Sequence, residues 1–153
     1  MTPADRWLAR AIRANAAILL LAAVPIFFPT DWMAESNERL GLGLFVRNPL
    51  TEYLTRSAAA CYALHGVVLL LLSLDVPRYR PMIRWIYYSH LTFAATLLGI
   101  DLVAGMPAWW IFAEVGTIST VAVGILVLNR RAAQVSSSSA FRSTTATSAE
   151  TQR

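Results

Sequence analysis

Apolar residues along this chain gather into four runs, each close to the roughly 20 residues that a helix rising 1.5 Å per residue needs to cross a hydrocarbon core. The first covers residues 11–28, with Arg10 and Arg13 able to snorkel at its start and Pro29 closing it. The second covers 53–74 and stops at Asp75 and Pro77, and the third covers 83–104. Gly105, Met106 and Pro107 make a tight turn into the fourth, 108–128. The pattern predicts an all-α, integral membrane four-helix bundle over residues 1–131.

The longest polar interval, 30–52, separates the first two runs. Its first half (Trp32, Met33, Glu35, Glu38, Arg39, Leu40) has the mixed polarity of a short interfacial helix in the first outer loop, and Gly41, Gly43 and Pro49 prevent a long one. Beyond Arg131 the chain turns to serine and threonine, from Ser136 to Ser139 and again at Ser143, Thr144 and Thr145. Such a tract buries too little apolar surface to offset its ordering entropy, so 132–153 is expected to be a disordered tail. The first run also has the composition of a secretory signal peptide, with Arg6, Arg10 and Arg13 ahead of it. Pro29, Thr30, Asp31 and Trp32 follow it in place of a small-x-small cleavage site, so it is read as a span.

Composition sharpens this picture. Hydrophobic residues make up 56% of the chain and charged residues 14%, against about 25% charged in an ordinary soluble domain, so the bilayer is the expected partner for the apolar surface. The net charge of +4 is carried by arginine without lysine. Those arginines flank the apolar runs as juxtamembrane anchors do, and no nucleic-acid partner is expected. One side collects Arg6, Arg10, Arg13, Arg78, Arg80, Arg84, Arg130 and Arg131. The other has Arg39 and Arg47 among Asp31, Glu35, Glu38 and Glu52. The arginine-rich side, with both termini, should face the cytoplasm. Trp109 and Trp110 at one interface, and Trp85, Tyr87 and Tyr88 at the other, fit aromatic belts. The single cysteine, Cys61, excludes an intramolecular disulfide.

Ionisable residues inside spans are costly and are therefore the first candidates for function: Arg56, His65, His90, Asp101 and Glu114. Arg56, Asp101 and Glu114 fall near one level in the outer half of three spans and are expected to pair, either clamping the bundle or holding a substrate, ion or lipid head group. Tyr87, His90, Ala94, Leu97 and Asp101 recur along one face of the third span, a stripe suited to a proton path or to inward hydrogen bonds. His65 lies nine residues from Arg56, on the opposite side of its helix. It stands about 10 residues (~15 Å) from the inner end of its span and His90 about 7 (~10 Å), levels too different for axial ligands of one haem. Neither histidine is read as part of a compact ligand set, so no metal is expected. No serine, lysine or glycine-rich motif suggests a nucleophile or phosphate loop, and Asn37 and Glu38 are isolated polar residues. Small residues (Ala59, Ala63 and Gly66; Ala113, Gly116, Thr120 and Gly124) mark close helix contacts.

About half of the chain, Asp31 through Trp110, resembles small bacterial four-span membrane proteins of no assigned function. The residues that carry the likeness are Trp32-Met33-Ala34, Leu40-Gly41-Leu42-Gly43, Tyr53-Leu54-Thr55-Arg56-Ser57, Tyr62-Ala63-Leu64-His65-Gly66, Asp75 with Arg78-Tyr79, and Gly99-Ile100-Asp101 before Gly105-Met106-Pro107. In architecture alone the chain is similar to DoxX-like four-helix membrane proteins. The resemblance implies the span count and a bacterial inner membrane, and it transfers no site residue. The expected role is a structural or accessory membrane component, not an enzyme and without a cofactor, partnered by a second copy or another membrane protein. The rival readings are a small oligomeric transporter or proton-coupled carrier using Arg56, Asp101 and Glu114, and a lipid- or quinone-interacting redox accessory.

Overall fold

A computed structural model describes the backbone of residues 2–151 and the side chains of 2–135. The elements are α1 (Pro3–Leu20), a 3-10 segment (Leu21–Phe27), α2 (Thr30–Arg39), α3 (Pro49–Leu72), α4 (Val76–Ala104) and α5 (Ala108–Thr151). Among the described residues four stretches are long and apolar enough to cross a membrane: Pro3–Phe27, Pro49–Leu72, Val76–Ala104 and Ala108–Val135. Within their most apolar windows only 11% to 17% of residues are buried. Large side chains such as Val103 (92% exposed) and Phe112 (80%) point outward, the inverse of a water-soluble bundle. The chain is a multi-pass membrane protein.

Three spans begin earlier than hydropathy alone predicts, because capping residues start a helix before its apolar face does. Thr2 and Asp5 form a reciprocal capping box with Pro3 in the first turn, so α1 starts at Pro3, ahead of the predicted start at 11. The Asn48 side chain accepts from the Thr51 amide at 2.8 Å and Pro49 occupies the first turn of α3, which makes that proline an initiator of a helix, not the end of a loop. Asp75 and Pro77, expected to close the second span, instead open α4. A short turn, Ser73 to Asp75, is thus all that separates α3 from α4.

The first span changes character at its C-terminal end, tightening into 3-10 geometry around Pro25, whose missing amide N–H interrupts the α ladder. The interfacial helix falls where expected, at Thr30–Arg39. Its Asn37, expected to be isolated, donates to the Gly43 carbonyl at 2.7 Å and ties down the loop that follows. Gly105 ends α4 with φ +68°, which places the Met106 amide 3.0 Å from the Asp101 carbonyl. The tail's expected disorder concerns residues whose side chains, from 136 onward, lie outside those described.

In the bundle α1 packs along both α3 and α5, and α5 along α4, while α3 and α4 meet only sparsely. Gly66 allows the closest approach: a Cβ built there would stand 2.9 Å from the Ala16 carbonyl oxygen of α1. Leu8, Ile12, Leu69, Val76, Ile83, Tyr87 and Ile125 form the buried core, concentrated toward the end of the bundle that carries the N-terminus.

Candidate functional site

The charged residues expected to cluster in the outer half are dispersed. Arg56 donates to the carbonyls of Ile26 and Phe28, the latter at 2.9 Å. These are the last carbonyls of the first span, which have no further helical turn to satisfy them. Glu114 accepts from the Trp110 indole at 3.0 Å, one turn back on its own helix. Asp101 is 5% exposed and its Oδ2 has no hydrogen-bond partner among the described residues. The expected pairing of Arg56 with Asp101 and Glu114 is therefore corrected: unsatisfied backbone carbonyls, invisible to a count of charges, compete for the guanidinium.

Other arginines also serve as clamps. Arg13, expected to snorkel, reaches the C-terminal cap of α3, its Nε 3.1 Å from Ser73 Oγ and its Nη2 3.4 Å from the Ser73 carbonyl. Arg80 pairs with Asp5, and its backbone carbonyl accepts from Asn129 of α5 at 3.4 Å. One electrostatic node thus joins α1, α4 and α5.

The two histidines, expected at different depths, come together. His65 Nε2 and His90 Nε2 are 3.2 Å apart across the sparse α3/α4 seam, with ring centres at 4.9 Å. Both span ends on this side differ from the predicted ones: α4 starts at Val76, seven residues before the predicted start at 83, and α3 ends at Leu72, two before the predicted end at 74. His90 is 14 residues from the start of α4 and His65 seven from the end of α3, so depth counted from helix ends does not by itself predict that they meet. His90 Nδ1 lies 2.8 Å from the Ile86 carbonyl, which only accepts. The ring therefore carries its proton on Nδ1 and offers a lone pair at Nε2. Tyr87 stacks on His90 at 4.9 Å and 20°, and accepts from Asn15 Nδ2 of α1 at 3.1 Å. Tyr87 and His90 of the predicted stripe are thus engaged in inward contacts.

Both histidines line a cavity of about 640 Å³. Its walls come from α1 (Asn15, Ile18, Leu19), α3 (Ala58, Cys61, Tyr62), α4 (Ile86, Ser89, Phe93) and α5 (Ala113, Glu114, Thr117). A few polar groups on an apolar wall is the make-up of a small-molecule site. Arg56 and Asp101 are not part of it; Glu114 is. Asn15, Tyr62, Ser89 and Thr117 are not among the site residues expected from the sequence, where charge and imidazole groups within spans stand out first. A polar residue within an apolar run was the signal available for Asn15. Cys61 stands four residues before His65, so the sequence did hold a second ligand type at helical spacing. Among the described residues no three His, Cys, Asp or Glu side chains close around one point.

No protein-family model matches the chain, and no curated protein or solved structure is significantly similar to it.

Proposed function

We propose that this protein is a non-catalytic, accessory component of a bacterial inner membrane that shelters a small lipophilic molecule in the cavity between its spans. The cavity carries the reading. Its volume of about 640 Å³ suits a ligand of drug-like size, and its walls are apolar apart from the histidine pair, Glu114 and a few hydroxyls and amides. The seam between α3 and α4, where helix contact is sparse, is the natural side for entry from lipid. The arginine asymmetry supports cytoplasmic termini. The roles taken by Arg13, Arg56 and Arg80 at helix ends support a structural use of charge in place of a transport pathway.

The test is extraction of the detergent-purified protein followed by mass spectrometry of what is released. A defined small molecule, enriched over bulk lipid and lost from Ala113→Trp and Thr117→Trp, is the expected result. A wild-type extract matching bulk lipid, or variants that retain the molecule, would refute the reading.

One observation favours the proton-coupled carrier instead: the buried carboxylate of Asp101 has an oxygen without a partner among the described residues, and ionisable groups within spans mark ion and proton pathways. That reading requires Asp101→Asn to abolish flux in proteoliposomes while the protein still inserts and folds.

A further inference from the structure

Two imidazoles joined by a simple hydrogen bond point their nitrogens at each other. With the Nε2 atoms 3.2 Å apart, a head-on arrangement would hold the ring centres about 5.5 Å apart, since each centre lies about 1.15 Å behind its nitrogen. The centres are instead 4.9 Å apart, so the nitrogens do not meet head-on and at least one ring turns off the line that joins them. Two imidazoles bound to one ion at 2.0–2.1 Å and a tetrahedral angle place their nitrogens about 3.3 Å apart and their ring centres about 5.2 Å apart. The observed nitrogen separation of 3.2 Å fits that geometry, with the ring centres somewhat closer, at 4.9 Å. A linear ion, or a haem iron with the histidines on opposite faces, would need the nitrogens about 4 Å apart and the rings collinear.

We propose that His65 and His90 hold a tetrahedrally coordinated divalent metal ion of the zinc class on the wall of the intramembrane cavity. His90 is already in the tautomer a metal requires. Its Nδ1–H is held by the Ile86 carbonyl, the orienting contact that metal-binding histidines use, and its Nε2 lone pair is free to ligate. His65 becomes a ligand by carrying its single proton on Nδ1, so both rings bind as neutral imidazoles and no net proton leaves. Two neutral ligands leave the charge of the ion uncompensated in a low-dielectric site. Glu114 on the same cavity wall supplies a negative charge that offsets it through space. The remaining positions are open to water or to a ligand in the cavity.

This inference shares the cavity with the proposed lipophilic ligand but does not depend on it, and each has its own assay. His65 and His90 are the only histidines in the chain, so a protein purified without a histidine tag has no competing imidazole. Chelator-stripped protein titrated with Co2+ should take up one equivalent, develop the intense visible bands of tetrahedral cobalt, and lose them to Zn2+. His65→Gln and His90→Gln should each weaken binding at least tenfold, with size-exclusion profile and helicity unchanged. Should the variants fail to fold, protection decides on the wild type: Zn2+ should shield both histidines from diethylpyrocarbonate. No uptake by the wild type, weak six-coordinate cobalt bands, a double variant that keeps the spectrum, or unshielded histidines would overturn the proposal.

Discussion

Asp5, in the first turn of α1, and Arg80, in the second turn of α4, form an ion pair in which the carboxylate is 2% exposed. The same carboxylate accepts from the Thr2 amide at 2.8 Å and the Thr2 hydroxyl at 2.9 Å, so one side chain both starts a helix and fastens it to another. Removing one member of a buried pair strands the other charge, at a cost of about 3–5 kcal/mol. Arg80→Met should lower the thermal midpoint in detergent micelles sharply. Arg80→Met with Asp5→Leu should recover part of the loss, since no charge is then stranded. A single variant as stable as the wild type would show that the pair contributes nothing.

Gly66→Leu should be the most damaging change on the α1/α3 seam. Its first added carbon would meet the Ala16 carbonyl at 2.9 Å and the Leu19 Cβ at 3.1 Å, so backbone must move, with a penalty of about 1–3 kcal/mol or more. Gly116→Leu provides the contrast, since a Cβ there meets nothing within 4 Å. Thermal unfolding of the two variants side by side checks this, and equal stability would contradict the packing described.

Arg56→Ala should free the Ile26 and Phe28 carbonyls in a region with little water, a loss of about 1–3 kcal/mol. The outer end of the first span should then become protease-sensitive near Pro25 and Phe28. Glu114→Gln should leave that sensitivity unchanged, because Glu114 is bonded to Trp110 and not to Arg56. If both variants expose the same site, the two residues are coupled after all.

Orientation is measurable by cysteine labelling in a Cys61→Ser background. Leu44→Cys and Met106→Cys, in the turns on one side, should react with an impermeant maleimide from outside intact cells. Leu74→Cys, in the α3/α4 turn, should not. The opposite pattern would invert the topology.

Much of the architecture is legible in the sequence, because crossing a membrane imposes length and apolarity that a sequence cannot hide. The interfacial helix and the Gly105 turn were equally legible, since mixed polarity and glycine act locally. Helix starts were read too late wherever a cap precedes the apolar run, as at Thr2, Asn48 and Asp75. The candidate site was only half legible. His65, His90, Tyr87 and Glu114 stood out as polar residues in apolar surroundings, but their grouping did not follow.

By itself the sequence determined that this is an all-helical, multi-pass membrane protein with its charge concentrated at the ends of its spans. Those properties follow from hydrophobicity and local backbone preference, both written residue by residue. Packing of the helices against one another is what brings His65 to His90, turns Arg56 to carbonyls and not carboxylates, and sets Asp5 against Arg80. Each pairing depends on relative helix depth and rotation. A shift of one turn moves a side chain about 5 Å, more than the reach of any hydrogen bond.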